Sequence, residues 1–366
     1  MEVRVKRDDF LAELSPMQGI VERRATIPIL SHLLLTATED RLHIAATDLD
    51  VSLSSWCEGK VKEEGTVAVQ AKKLFDIVRA SAAGELTLRI DQPNELTLLV
   101  AKSRFKLRGH SAEDFPSLPN IEEEEATEVP FDTFRSMISK VIYAVSSEES
   151  RFQLSGAMLE MAEDTARLVA TDGHRLALVE SHAPGLTETE GVLVPRKALQ
   201  ELLRFEAEGA MAFRKSEHNL SFTVGRRRLI CRILEGTFPD YDRVISKEND
   251  KHVVAERKIF ADAIHRVSLM TSDRTRAIRL ETQPEEMVLS AVNPDLGEAR
   301  EEVPCEYGDN PVISLGVNPD YLRDFMGATE TQKVRLELKD GASQCILCPV
   351  DGPDERYLCV IMPIRI

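Results

Sequence analysis

"AATDLDVSL" at residues 45–53 returns as "VATDGHRLAL" at 169–178 and, more faintly, as "AVNPDLGEA" at 291–299. Asp48, Asp172 and Asp295 are the common point of the three, 124 (172 − 48) and 123 (295 − 172) residues apart. Two further landmarks keep that order and interval. One is "VQAKKLFDIV" from 69, "VPRKALQELL" from 194 and "GVNPDYLRDF" from 316, with Lys73, Lys197 and Asp320 in register. The other is "FLAEL" from Phe10, "FRSMI" from Phe134 and "FADAI" from Phe260. Three landmarks at nearly one period read as three copies of one domain of about 120 residues, an ordinary domain size.

Each copy opens on a helical pattern. Phe134, Ile138, Val141, Ile142 and Val145 share one face at a 3.6-residue period, as do Phe260, Ala263, Ile264 and Val267. In the first copy Pro16 falls inside "DDFLAELSPMQGIVERR" and is expected to kink or interrupt the helix. A second helix follows in each copy, carrying Phe75 with Val78, Leu199 with Leu202, and Leu322 with Phe325. Alternating runs such as "ELTLRI", "RFKLRG" and "KVRLELKD" are strands, so the class is α+β with two helices and sheet per copy. Asp172-Gly173 between two apolar alternating runs predicts a two-residue β-turn with φ > 0 at both positions. The turn accounts for Asp172 and Gly173 and leaves His174 and Arg175 unexplained. Acidic "NIEEEEATEV" (120–129) and "SKENDKHVVAE" (246–256) mark the handovers, giving domains at 1–121, 126–246 and 252–366.

Composition limits the function classes. Lys plus Arg is 46 against 62 Asp plus Glu, a formal charge of −16, which opposes a nucleic-acid binder of uniformly basic surface and demands a local basic face for any anionic partner. No stretch approaches the ~20 apolar residues of a membrane span and "MEVRVKRDDF" is no signal peptide, so the expectation is a cytoplasmic protein without membrane contact. Six cysteines are too sparse for a disulfide scaffold. Cys345 and Cys348 form the one C-x-x-C, in a strand-like run that points them to opposite faces, and no second pair completes a metal site. Phosphate-loop, nucleophile-elbow and H-E-x-x-H signatures are missing and the eight histidines are isolated, so neither cofactor nor metal is expected.

Asp172 and His174 remain as a base and its orienting partner for a hydrolytic site, or as part of a binding site. The first copy has Leu49 and Asp50 at those places, so the hairpin exists without the cluster. Lys72 and Lys73, with Arg196 and Lys197 at the same place in copy two, stand at helix N-termini, where cations oppose the macrodipole by ~0.3–1 kcal/mol. Phosphate oxygens would favour them there; ordinary surface pairs are the alternative. "GRRRLICR" (225–232) reads equally as a strand with a charged outer face.

"TIPILSHLLL", "ATDLDVSL", "VATDGHRLAL", "VPRKAL", "GTFPDYDRVI" and the terminal "VIMPIRI" resemble the sliding-clamp family, the beta subunits of bacterial DNA polymerase III. The resemblance runs from the first helix to the last residue. It implies three similar domains paired head to tail in a dimeric ring, helices lining the hole and sheets outside, acidic without and basic within. It implies a non-catalytic processivity factor that holds duplex DNA topologically, with few and sequence-blind contacts. Its partners would be the replicative polymerase subunit, the clamp loader, repair polymerases and other peptide-motif proteins. An enzyme on Asp172 and His174, or a three-domain adaptor without nucleic acid, stays open beside it.

The family's peptide groove maps onto Thr171, Gly173, His174, Arg175, Leu176, Pro239, Arg243 and Val244 as one wall, and onto Val360, Met362, Pro363, Ile364 and Arg365 as the closing edge. Leu154, Asn318 and Tyr321 fit more loosely, and the register around Ala342 and Gln344 is open. His174 and Arg175 would supply polar handles at the edge. For phosphate contact the candidates are Arg24, Lys72, Lys73, Arg196 and Lys197, with Arg151 and Phe152 near the inner rim. For the subunit boundary, Phe105 and Leu107 share a strand face and by resemblance meet Leu269 and Met270, while Arg104 and Arg108 pair with Glu298, Glu301 or Glu302 at the rim.

Overall fold

The computed structural model describes residues 1–22, 26–121, 125–148, 150–162, 164–183, 189–272, 276–352 and 355–365. Its helices are α1 (Arg7–Ile20), α2 (Ala71–Ala80), α3 (Phe131–Val141), α4 (Arg196–Leu203), α5 (Arg257–Ser268) and α6 (Pro319–Ala328), two per copy as the repeat requires. Phe10, Phe134 and Phe260, the repeat's landmarks, are wholly buried on α1, α3 and α5. Leu199, Leu202, Leu322 and Phe325 do the same on the second helices. The apolar stripe of each helix is thus turned into the interior.

Contacts divide the chain into two compact units, residues 1–132 with 197–233, and residues 133–196 with 234–366. Each holds one terminal copy and half of the middle one. Among the described residues each unit contains one twelve-stranded sheet. In the first unit the copies join where Val51–Glu63 pairs antiparallel with Arg227–Arg232, Val51 opposite Cys231 and Ser54 opposite Arg228. In the second, Arg175–His182 pairs with Glu355–Ile361, from Arg175 opposite Ile361 to Ser181 opposite Glu355. Both joins use the strand that leaves the T-D hairpin. Ladder hydrogen bonds there continue one copy's sheet into the next, and burial alternates along the strands, as in Lys333–Leu338.

Two expectations change. Pro16 does not interrupt α1, which runs unbroken from Arg7 to Ile20 with Pro16 buried. A proline removes the N–H that would bond the carbonyl four residues earlier. Here that carbonyl, of Ala12, accepts from Arg227 Nη2 at 3.2 Å. The same guanidinium forks onto buried Glu13, Nε at 2.9 Å and Nη2 at 3.1 Å. Ser55 also donates to Glu13, so the carboxylate is satisfied although its side chain is 1% exposed. Arg227, read as one of a run on a solvated strand face, instead fastens copy two to the first helix of copy one. The second change is that α3 ends at Val141, followed by a 3₁₀ turn at Ile142–Ala144. Ile142 and Val145 therefore lie beyond the helix, where consecutive β-branched residues weaken it.

Removing one partner of a buried pair strands the other's charge, so Arg227→Ala is expected to cost about 3–5 kcal/mol. Urea unfolding followed by the fluorescence of Trp56, the one tryptophan of the chain, which stacks under Arg41 at 4.1 Å, reads this in the first unit. Pro16→Ala restores a donor to the Ala12 carbonyl, so its effect and that of Arg227→Ala should be non-additive in a double-mutant cycle.

Candidate functional site

Thr171 stands opposite Leu176, which makes Gly173 and His174 the central residues of the turn. The expected pair was Asp172 and Gly173, both left-handed; the turn is shifted by one, and only Gly173 has positive φ, +88°. Asp172 serves as the brace. Its Oδ1 accepts the N–H groups of His174 (2.9 Å) and Arg175 (3.0 Å), while Thr171 Oγ1 accepts from Gly173 N and donates to the Arg175 carbonyl. Short polar side chains fold turns in this way. The other carboxylate oxygen takes Arg175 Nε at 3.1 Å. Both oxygens are thus engaged without the imidazole of exposed His174, and the base-and-orienter dyad does not form.

Arg175 departs further from expectation. Predicted as a handle at the groove's edge, its side chain is 10% exposed and committed inward. Nη1 bonds Asp324 of α6 at 2.6 Å, Nη2 bonds the Tyr143 carbonyl at 2.5 Å, and the guanidinium lies 4.4 Å from the centre of the Tyr321 ring. Burial works against the charge, and the Asp324 and Asp172 carboxylates outweigh it, so the pKa is raised. A planar fork with three directional partners and a stacked ring is arginine's particular geometry. Arg175 holds the turn against α6; His174 is left as the polar group at the rim.

Beneath the turn lies an apolar floor. Leu154, Val169, Leu176, Leu178, Phe238, Tyr241, Ile346, Leu358 and Val360 pack as one buried cluster, with Val244 and Ile245 half-buried against it. Leu176 faces Val360 and Leu178 faces Leu358 across the join between copies. The segment carrying Pro239, Arg243 and Val244 is pinned through Tyr241, whose hydroxyl donates to Glu160 at 2.7 Å and accepts from Arg167 at 2.9 Å. Arg167 also pairs with Glu180. Burial, then the hydrogen bond to Glu160, pushes the Tyr241 hydroxyl up to about 12. Gln344 Nε2 donates to the Val244 carbonyl at 3.3 Å, which fixes the register left open in the sequence and brings this side chain to the wall.

The chain's end closes the other side. Met362 N–H donates to the His174 carbonyl at 2.9 Å and Ile364 N–H to the Gly316 carbonyl at 2.8 Å. Met362 is 40% exposed, and Pro363 and Ile364 are half-buried. Arg243 and Arg365 are exposed at the margin. Asn318 caps α6 by accepting from Asp320 N–H, so its carbonyl oxygen is occupied. The result is a buried apolar base flanked by a turn, a chain end and a thin polar rim. Tyr241, Arg167, Leu178 and Leu358 were missed. Alternation from Leu176 and Val360 would have found the leucines; nothing local marks Tyr241 and Arg167 as partners.

Of the predicted phosphate contacts, Arg24 lies outside the described residues. Lys72 and Lys73 are exposed on α2, Lys72 bonded to Asp76 at 2.9 Å. Lys197, its side chain 35% exposed, bonds Asp48 and the Ile20 carbonyl inside the first unit. In the second unit Phe152 is 69% exposed, Arg151 bonds Glu148 and the Asp172 carbonyl, and Arg196 reaches the Val145 carbonyl at 3.4 Å. Among the predicted boundary residues, Arg104 and Phe105 are exposed in the first unit and Leu107 half-exposed. Leu269 is 67% exposed at the end of α5, beside Met270, and Leu296 and Val292, not foreseen, are more exposed still. Asn293 Nδ2 donates to the Thr271 carbonyl, which draws that turn to the end of α5.

Three family models match in succession: DNA polymerase III beta subunit, N-terminal domain over residues 1–119, central domain over 128–240 and C-terminal domain over 242–365. The beta sliding clamps of Caulobacter vibrioides and Pseudomonas putida are 35% and 33% identical over 376 and 375 residues, each covering 100% of both chains. The structure of the DNA polymerase III subunit beta from Pseudomonas aeruginosa superposes with a TM-score of 0.93 at 32% identity, and a sliding clamp from Bartonella birtlesii bound to griselimycin with 0.94 at 32%, again over 100% of both chains.

Arg175→Lys keeps the charge and loses the fork. Amide exchange across 171–177 and 358–365, read by mass spectrometry, should then quicken about tenfold or more, as the tie between turn, α6 and terminal strand loosens. Unchanged exchange would assign the bracing to Asp172 alone.

Proposed function

Because the chain belongs to the family of bacterial DNA polymerase III beta subunits, the beta sliding clamps, which are non-catalytic processivity factors, we propose that it closes head to tail with a second copy into a ring around duplex DNA. The cleft over Leu176, Val360 and Met362 would dock peptides of the replicative polymerase, the clamp loader and repair polymerases. Its place of work would be the cytoplasm; no helix among the described residues is long and apolar enough to cross a membrane. Domains at 1–121, 126–246 and 252–366 fit this reading.

A missing third join carries the ring proposal. Val51–Glu63 and Arg175–His182 leave the first two T-D hairpins and each bears a strand of the following copy. Gly297–Glu306 leaves the third hairpin, and along 297–304 its outer edge bears none among the described residues. Ser103–His110 stands in copy one where Arg227–Arg232 stands in copy two, each beginning after a two-residue turn, and over 103–108 its outer edge bears no strand among the described residues. Carrying over the Ser54–Arg228 and Val51–Cys231 register puts Arg104 opposite Glu301 and Leu107 opposite Glu298 of another copy. Exposed charge pairs contribute little. The main support is apolar area on Phe105, Leu107, Leu269, Met270, Val292 and Leu296, at about 25 cal/mol per Å² buried.

For DNA, the exposed cations Lys72 and Lys73, with Arg196, Arg151 and Phe152, are the proposed contacts; Arg24 stays a candidate from sequence alone. Contacts of this kind are salt-sensitive and blind to sequence. Retention on nicked circular but not linear DNA tests the topological claim. Lys72→Glu with Lys73→Glu should shorten retention at moderate salt and leave the dimer intact.

Leu269→Ala with Met270→Ala should yield folded monomer in sedimentation at low concentration; an unshifted dimer would sink the interface. Deleting Met362–Ile366 removes the Met362–His174 and Ile364–Gly316 bonds and half the rim. Fluorescence anisotropy with a polymerase-derived peptide should give micromolar affinity for the parent, about −8 kcal/mol, and none for the truncation, whose ring still forms.

A further inference from the structure

The groove has a counterpart in the first unit. The turn after Thr47 repeats three bonds of the one after Thr171: Asp48 Oδ1 accepts from Asp50 N at 3.0 Å and Val51 N at 2.7 Å, and Thr47 Oγ1 accepts from Leu49 N at 3.0 Å. Beside it lies a cavity of 170 Å³. The strand register carries its lining onto the groove: Ile230, opposite Ser52, stands where Val360 stands opposite Leu176, and Arg232 stands where Met362 does. Asn219, opposite Arg232, takes the place of Gln344. "FPSLP" from Phe115 lines it through Pro116 and Pro119, as "FPDYD" from Phe238 walls the groove.

The chemistry of the lining has changed while the frame has not. Asp50 replaces His174 and Arg232 replaces Met362. Both side chains line the cavity, and neither has a partner among the described residues, although Arg232 N–H donates to the Asp50 carbonyl. Between them lies Ile230, 5% exposed. Leu49 occupies the left-handed position of Gly173, with φ +81°, and its side chain is 50% exposed at the rim. A bulky residue held there is a conformational outlier of the sort that gathers at functional sites.

We propose that this cavity is a second peptide-docking site, for an extended segment with one small apolar residue flanked by an acidic and a basic side chain. The apolar residue sits over Ile230 between Pro116 and Leu49, the carboxylate meets Arg232 and the ammonium meets Asp50. The proposal rests on the groove reading only for the class of ligand; charge complementarity selects the occupant. Because the two sites differ at the rim, they sort ligands and do not compete for them.

The test uses the full chain with isoleucine methyl groups labelled and three blocked tripeptides: Lys-Leu-Asp, Asp-Leu-Lys and Lys-Leu-Lys. The Ile230 methyl resonance should shift saturably with at least one of the mixed-charge peptides, and at least about tenfold more weakly with Lys-Leu-Lys. Arg232→Glu should reverse that order, a gain that misfolding does not produce. Deleting Met362–Ile366 should leave this binding unchanged while abolishing that of the polymerase-derived peptide, so failure of the groove and failure of this site are read apart. No saturable shift at Ile230, an order of preference unmoved by Arg232→Glu, or loss of the tripeptide on truncation would each overturn the proposal.

Discussion

Antiparallel pairing between the strand that leaves one copy's T-D hairpin and the last hairpin of the next copy is the constraint on which everything else depends. It occurs at Val51–Glu63 with Arg227–Arg232, and again at Arg175–His182 with Glu355–Ile361. Backbone hydrogen bonds leave no freedom in register, because a slip of one residue would turn every inward side chain outward. The cleft floor is a direct product: Leu176 and Leu178 come from one copy and Val360 and Leu358 from the next, and they meet because the ladder places them opposite. The floor therefore exists only when the two copies are joined, and peptide binding there would report on a correctly assembled junction.

Around each join, charged side chains do positional work. Glu13 with Arg227 in the first unit is a buried pair with nearly all its hydrogen-bonding capacity used; in the second, buried Arg175 pairs with Asp172 and with Asp324, whose side chain is 43% exposed. Such pairs add little net stability over well-packed apolar residues, but a partner lost is costly. Their effect is to exclude neighbouring arrangements. Arg227 shows this clearly, since one guanidinium answers both a carboxylate and the carbonyl that Pro16 leaves without a donor.

Repeat period, helix faces and strand alternation were legible in the sequence because each is a local pattern: Phe10, Phe134 and Phe260 recur at one interval and are all buried. The hairpin motif and the terminal segment, which the structure brings together through Met362 and the His174 carbonyl, were legible as local stretches. What side chains do across long separations was not. Arg175 looked like a rim residue because its partner Asp324 is 149 positions away, and Lys197 looked like a free cation because Asp48 is equally far. A charged residue's partner is set by the fold, and composition carries no trace of it. The turn was misplaced by one residue for a smaller reason, that Asp172 acts through its side chain and not through its φ.

The edges at 103–108 and 297–304, unpaired among the described residues, bear opposite net charges: Arg104, Lys106 and Arg108 on one, Glu298, Glu301 and Glu302 against Arg300 on the other. An open strand edge is ordinarily a template for runaway association. Here like edges repel, which opposes pairing of two copies through identical strands and favours each edge meeting its opposite. A heterologous contact of that kind either closes on itself or propagates as a filament, depending on the angle between the two edges of one chain. In the proposed ring the rigidity of the junction within each unit would bear on which of the two forms, and a substitution that loosens Glu13–Arg227 or Arg175–Asp324 would then affect solubility as well as stability.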